Sequence, residues 1–329
     1  MPNPLHPTEH ALIERLCRLM PRSVEQLNRP FESDAEILRW GHENLLFSTD
    51  EFSAEDALLT EDAFALGHNI ACAALSDILA TGGRPLFYAH SLTIDARFTE
   101  SYLERFYQGI AQALDVAGAY FIGGDFGRVL PTSGASWRCV ASVIGKATRP
   151  VRRSGAREHD HIYITGPLGA GNVQAVLANG MLDIKDMPDA KLLADATAFT
   201  LRMAALPDIE RYATSCVDTS DGLMSAMNAI ARQSACGFQL FDLPYLPLGE
   251  KLARQLGLPV EMLAFCEGGE YELLLTSPAE LPYPRIGRVT AQGRTLEGRD
   301  VSHIDLSARA YPDLRTYLAE VKRLCAALS

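Results

Sequence analysis

The apolar and polar positions of this chain follow two rhythms. Leu45-Leu46-Phe47 is a short apolar run that predicts a buried strand delivering Ser48-Thr49-Asp50 to its end. Tyr120-Phe121-Ile122 predicts another ahead of Gly123-Gly124-Asp125. Between them, residues 65–80 are small and apolar enough for a buried helix carrying Asp77. Leu103, Phe106, Ile110, Leu114 and Ala117 mark one face of an amphipathic helix that Gly118 is placed to end. The second half opens on the strand-like His161-Ile162-Tyr163-Ile164-Thr165. It then passes through a glycine-rich turn, 166–171, into a helix over 172–178. Met224, Met227, Ile230 and Ala231 predict a further helix with Gly237 as its stop, and Gly268-Gly269 turns the chain into a strand over 271–276.

Between 145 and 158 the periodicity gives way to Gly, Pro, Ser and basic residues, which marks a domain junction. The length suits about two domains, expected at 1–148 and 149–329. Arg149, Arg152, Arg153 and Arg157 near this junction suit a phosphate clamp equally well.

Composition narrows the partners. The net charge is -11 and the pI about 5.2, with no run of Lys and Arg, so nothing predicts nucleic acid or an anionic membrane as partner. The first residues lack a charged segment followed by an apolar one, and the chain shows no run of roughly 18 apolar residues. The expectation is a cytoplasmic protein. Seven cysteines occur without a C-x-x-C pair, and their odd number suits neither a disulfide framework nor a zinc site. They read as reduced, mostly buried thiols, and Cys325 reads as part of an apolar helix face. His159 and His161 alternate like strand residues at a loop-to-strand boundary.

The chemistry lies in the aspartates. Asp34, Asp50, Asp77, Asp125, Asp218 and Asp221 each stand in a short frame of small residues. Mg²⁺ takes oxygen ligands, commonly a few carboxylates with water and substrate phosphate completing its shell. An isolated Asp beside a Gly is more often a turn or cap residue, so the argument rests on the set. Asp218 and Ser220 also precede a helix N-terminus, and the glycine-rich turn at 166–171 can place backbone N–H groups against an anion. No Ser-His or Cys-His nucleophile is needed for phosphoryl transfer, where the protein chiefly aligns the reacting groups and neutralises charge.

Several frames occur together in a fixed order: Ser48-Thr49-Asp50, Leu75-Ser76-Asp77, Ile122-Gly123-Gly124-Asp125, Arg153-Ser154-Gly155, Asp218-Thr219-Ser220-Asp221-Gly222 and Glu267-Gly268-Gly269-Glu270-Tyr271-Glu272. In this order the chain resembles the thiamine-monophosphate kinases of the PurM-like superfamily, which also holds aminoimidazole ribonucleotide synthetase, selenophosphate synthetase and a hydrogenase-maturation dehydratase. The resemblance implies an α+β / α/β fold of two domains: an N-terminal α+β domain that pairs with its twin in a homodimer, and a C-terminal α/β domain. It implies ATP as cosubstrate in the dimer groove. Mg²⁺ would be held by Asp34, Thr49, Asp50, Asp77, Asp125, Asp218 and Asp221 with help from Ser48. Gly124, Asp125, Arg153 and Ser220 would meet ATP, Asp221 would also be catalytic, and Glu270 would meet the acceptor.

Three positions depart from the family pattern. Ser33 stands where the family has the first Asp of a Gly-Asp-Asp. Ala57 replaces a substrate-contacting His, and the Gly-Gly-Glu segment is one residue short. Because two of the three fall on the acceptor side, the expectation is conserved nucleotide and metal handling with an altered acceptor pocket. The activity implied is phosphoryl transfer from ATP to thiamine phosphate. ATP-dependent synthetase or dehydratase chemistry and a non-catalytic nucleotide-binding regulator remain the alternatives.

Overall fold

A computed structural model of the protein describes residues 9–56, 58–130, 134–181, 193, 197–304 and 306–327. After helix α1 (Glu9–Cys17), strands β1 (Glu36–Trp40), β2 (Glu43–Ser53), β3 (Arg84–Ile94), β4 (Tyr120–Arg128) and β5 (Arg138–Ala147) form one sheet in the order β1-β2-β5-β3-β4. Helices α2 (Ala63–Ala80) and α3 (Glu100–Ala117) accompany it. The apolar run at 45–47 is therefore only the middle of a strand of 11 residues. Leu46, Ser48 and Phe52 are buried, whereas Phe47, Thr49 and Glu51 are exposed, because only one face of β2 packs against α2. The run at 120–122 departs further from expectation. β4 is the last strand of the sheet, continues through Gly123-Gly124-Asp125, and is largely exposed. Its apolar residues are edge residues, not core.

Helix α2 lies at the centre of the packing. Asp62 caps it by accepting from the backbone N–H groups of Phe64 and Ala65. It is long and apolar enough to cross a membrane, contrary to the reading that no segment reaches that length. However, 78% of it is buried inside the protein, which makes it a core helix. Its small residues let α3 approach closely. A Cβ on Gly67 would lie 2.0 Å from the Phe106 carbonyl oxygen, and one on Gly109 would lie 2.0 Å from that of Phe64. Gly118, with φ 64, ends α3 as expected.

The second sheet contains β6 (His161–Ile164), β7 (Ser215–Asp218), β8 (Gly237–Leu240), β9 (Leu273–Ser277), β10 (Arg285–Thr290), β11 (Arg294–Leu296) and β12 (Arg299–Asp300), in the order β12-β11-β8-β10-β6-β9-β7. Among the described residues, this half contains helices α4 (Ala170–Ala178), α5 (Leu206–Tyr212), α6 (Gly222–Ser234), α7 (Pro247–Gln255), α8 (Met262–Phe265) and α9 (Leu314–Ala327). Gly237 does not end α6. Ala235 does, with φ 51, and Gly237 opens β8 where a Cβ would strike the Gly293 carbonyl oxygen. Cys325 is buried on α9, and the described residues form no disulfide.

Residues 148–160 join the two sheets. Arg149, Arg152 and Arg153 are tied inward, whereas Arg157 is exposed. Arg149 donates to the carbonyls of Ile209, Glu210 and Ala213, and Arg152 to that of Leu27. The hydrophobic core ignores the junction, since Tyr163, Phe199, Leu273 and Leu275 share one cluster with α2. Helix α2 also touches β7 and β9, which brings Asp77 to the end of β7. Gly109→Ala should lower unfolding free energy by about 1–3 kcal/mol, the usual penalty of overpacking. Urea denaturation of the variant beside the parent protein measures it, and an unchanged midpoint would refute the tight α2–α3 contact.

Candidate active site

Asp34 precedes β1, Asp77 lies in the last turns of α2, and Asp218 ends β7. One carboxylate oxygen from each lies within 4.8 Å of the others. The local sequence builds this convergence with hydroxyl groups. The Ser48 hydroxyl, buried on β2, donates to Asp77, and the Ser76 hydroxyl, one residue before Asp77, donates to Asp218. Asp34 is held from the other side by Arg153, whose Nε and Nη2 both donate to its Oδ1. Ser76 and Asp77 thus face neighbouring carboxylates from one turn of α2.

Burial and crowding push these acids toward their neutral forms. Asp50 is raised to about 6, chiefly by burial and further by Asp34. Asp218 is raised to about 7 by burial and by the charge of Asp34. Asp77 is raised well above the usual carboxylate range by burial and by Asp50, Asp218 and Asp34. Burial also raises Asp34 against the opposing pull of Arg153. A set of like charges in one buried place is costly unless a cation or protons neutralise it. The Oδ2 atom of Asp34 is buried without a hydrogen-bond partner. Hard oxygen donors, mutual repulsion and an unpartnered carboxylate oxygen together fit Mg²⁺.

The cluster opens into a cavity of about 410 Å³. Asp50, Asp77, Asp218, Ser220 and Asp221 line it, so five of the expected site residues share one space. Asp221 begins α6 but makes no capping bond with its side chain. Among the described residues no Lys, Arg or His lines this cavity. Its remaining wall includes Asp56, Gln174, Phe199, Glu267 and Tyr271. Gln174 and Phe199 come from separate segments and stand in no motif that would mark them. Tyr271 stood inside a motif already noted, and its φ of 53 turns the ring into the wall beside Phe199, with centroids 4.6 Å apart.

Other expected residues lie elsewhere. Thr49 points to the exposed face of β2, where its hydroxyl meets the Ala141 carbonyl and the Ser142 hydroxyl. Gly124 and Asp125 are exposed on the edge strand β4 and do not line the cavity. Glu270 is buried behind the wall, with Gly268, Gly269 and Tyr271 lining the cavity in its place. It accepts from the backbone N–H groups of Gly169 and Gly171 and from the Asn172 amide. The group that fills the glycine-rich turn is therefore the chain's own Glu270 carboxyl, placed at the N-terminus of α4. Burial nevertheless raises it to about 8 against those N–H groups.

The positions that depart from the family pattern are also placed. The Ser33 hydroxyl meets that of Thr81. Glu32 accepts from the Arg29 backbone and the Ser154 hydroxyl, and Glu36 accepts from Gln26 and Asn28. Both are thus engaged away from the carboxylate cluster. Ala57 lies outside the described residues. His159 and His161 border a separate depression with Arg285 and Arg288 on the second sheet.

Residues 32–147 match the family described as AIR synthase related protein, N-terminal domain. The thiamine-monophosphate kinase of Aquifex aeolicus is 29% identical over 271 residues, covering 76% of this chain and 85% of that protein. The structure of AaThiL complexed with AMPPCP and TMP superposes with a TM-score of 0.75 at 24% identity, covering 89% of this chain and 94% of that one. A hydrogenase maturation protein, HypE from E. coli, shares the fold with a TM-score of 0.64 at 17% identity, covering 81% of this chain and 88% of that one. The thiamine-monophosphate kinase of Methanopyrus kandleri is 31% identical over 244 residues, or 72% of this chain and 74% of that protein, and on that similarity the chain belongs to the thiamine-monophosphate kinase family.

Proposed function

We propose that this protein transfers the γ-phosphoryl group of ATP to the phosphate of thiamine monophosphate in a Mg²⁺-dependent reaction. The observation that carries the proposal is the cavity wall beside Asp34, Asp77 and Asp218, which is rich in carboxylates and has no basic side chain among the described residues. Such a wall repels a bare phosphate and favours a substrate with a cationic ring, which thiamine has in its thiazolium. The family relatives named above support the same reading.

Asp34, Asp77 and Asp218, with Asp50 and Asp221 beside them, would hold the cations. Mg²⁺ would supply charge neutralisation on the phosphates of donor and acceptor. Ser48 and Ser76 fix the orientation of two of these carboxylates through their hydroxyl groups. Arg153 uses Nε and Nη2 on Asp34 and is absent from the cavity wall, so its part is to hold that carboxylate in place. Phe199 and Tyr271 provide aromatic surface for the organic part of the acceptor.

Gly124 and Asp125 enter the proposal through a second copy of the chain. Tyr120, Phe121, Ile122 and Phe126 are all exposed on the open edge of β4. An unpaired apolar edge of this kind is a template for association. Pairing there in a homodimer would cover the edge and bring Gly124 and Asp125 to a nucleotide site at the interface.

The direct test supplies the purified protein with ATP, Mg²⁺ and thiamine monophosphate. Formation of thiamine diphosphate and ADP in equal amounts is expected, whereas ATP binding without that product would overturn the kinase assignment. Asp77→Asn and Asp218→Asn should each lower turnover by about 100-fold or more, since each removes a charge that holds the metal. Steady-state kinetics across a Mg²⁺ titration reads the loss.

A pH dependence follows from the raised carboxylates. Asp50, at about 6, and Asp218, at about 7, hold their protons more tightly in the folded protein than an unfolded Asp does near about 3.9. The metal-free fold therefore loses stability as pH rises from about 4 through about 7. Mg²⁺ must displace those protons, so its affinity should rise over the same window. In thermal unfolding, a fixed Mg²⁺ concentration should raise the melting temperature more at about pH 8 than at about pH 5.5, and equal shifts would contradict it. For the homodimer, Ile122→Lys should convert the protein to monomers with its fold intact, as read by sedimentation velocity. A dimer that survives the substitution would place the interface elsewhere.

A further inference from the structure

Helix α4 presents Gly171, Gln174 and Ala175 to the cavity, a spacing that puts all three on one face. Gln174 is only 1% exposed, yet neither its Nε2 nor its Oε1 has a hydrogen-bond partner. A buried primary amide can form several hydrogen bonds, and leaving both ends unpaired is costly to a fold. Asn172, two residues earlier on the same helix, shows the contrast, because its amide is bonded to Glu270 and to the Leu263 carbonyl. In the same wall stand Phe199, Tyr271 and Leu58, which offer apolar and aromatic surface and, for Phe199 and Leu58, no polar side-chain atom.

We infer that Gln174 determines acceptor specificity by reading the edge of the acceptor's heterocycle. An amide places an acceptor and a donor side by side, whichever way round it sits. Its complement is a ring nitrogen next to an exocyclic amino group, the pattern that Asn and Gln read on adenine. Thiamine carries that pattern on its 4-aminopyrimidine. The carbonyl of Gln174 accepts from the amino group, and its NH₂ donates to the adjacent ring nitrogen. This assignment rests on the proposed acceptor and adds the residue that recognises it. Gln174 takes no part in moving the phosphoryl group, so its effect belongs in acceptor binding.

The test compares the parent protein with Gln174→Leu and the near-isosteric Gln174→Glu, whose carboxylate has no hydrogen to donate to a ring nitrogen. The substrates are thiamine monophosphate and its analogue with hydrogen in place of the pyrimidine amino group. Both variants should raise KM for thiamine monophosphate by about 10- to 100-fold, the effect of losing paired hydrogen bonds. The kcat and the KM for ATP should be unchanged. The parent should show a comparable loss with the analogue, and the variants should lose little more on it. Equal losses on both substrates, a matching loss of ATP affinity, or no loss in either variant would overturn the role of Gln174. Calorimetry separates this from failure of the kinase reading. If the parent binds thiamine monophosphate without turning it over, the kinase reading falls and the same comparison is made in Kd. If the parent does not bind it at all, both fall.

Discussion

The structure depends on the contact between helix α2 and strand β7, where Asp77 is brought against Asp218 beneath Asp34. This is an expensive arrangement, because burial and mutual repulsion favour neutral acids at each position. Ser48, Ser76 and Arg153 offset part of the cost through hydrogen bonds and one ion pair. Bound cations would offset the rest, which would link metal binding to the integrity of this junction. The apolar mass of α2, wedged between the two sheets, keeps the carboxylates from separating to relieve their repulsion.

The same helix explains why the two sheets act as one body around the site. Its N-terminal turns accept α3 at glycine contacts, and its C-terminal turns carry Ser76 and Asp77 to the second sheet. A core that crosses the junction holds ligands from both halves in fixed relation. Tight placement suits phosphoryl transfer, in which rate depends on alignment and on charge neutralisation more than on covalent help from the protein. On the far side of the cavity, Glu270 is anchored to the N-terminus of α4. That contact ties the start of α4, whose Gly171 and Gln174 line the cavity, to the segment that carries Tyr271.

Much of the candidate site was legible along the chain because its motifs are local. A serine or threonine beside an aspartate, and an aspartate at the end of a strand, are short-range patterns, and their order carried the family resemblance. Helix α2 was equally plain from its run of small apolar residues, and α3 from the spacing of its apolar face. The less legible parts were decided at long range. Tyr120-Phe121-Ile122 has the composition of a core strand, and only its place at the end of the sheet leaves it exposed. The glycine-rich turn carried the right chemistry for an anion, but sequence could not tell that the Glu270 carboxyl, about a hundred residues away, fills it.

The sequence by itself determined the elements, the oxygen-ligand chemistry and the family, because these follow from residue type at short spacing. The tertiary structure decided which carboxylates meet. Asp34, Asp77 and Asp218 come from segments far apart in the chain and converge, whereas Thr49 and Asp125, equally plausible in their frames, point to other surfaces. It also decided that the cavity has no basic wall among its described residues, and that Gln174 stands in it unpaired. The physical reason is that pKa, burial and hydrogen-bond satisfaction belong to a neighbourhood in space. The chain specifies that neighbourhood only through the packing of its whole core.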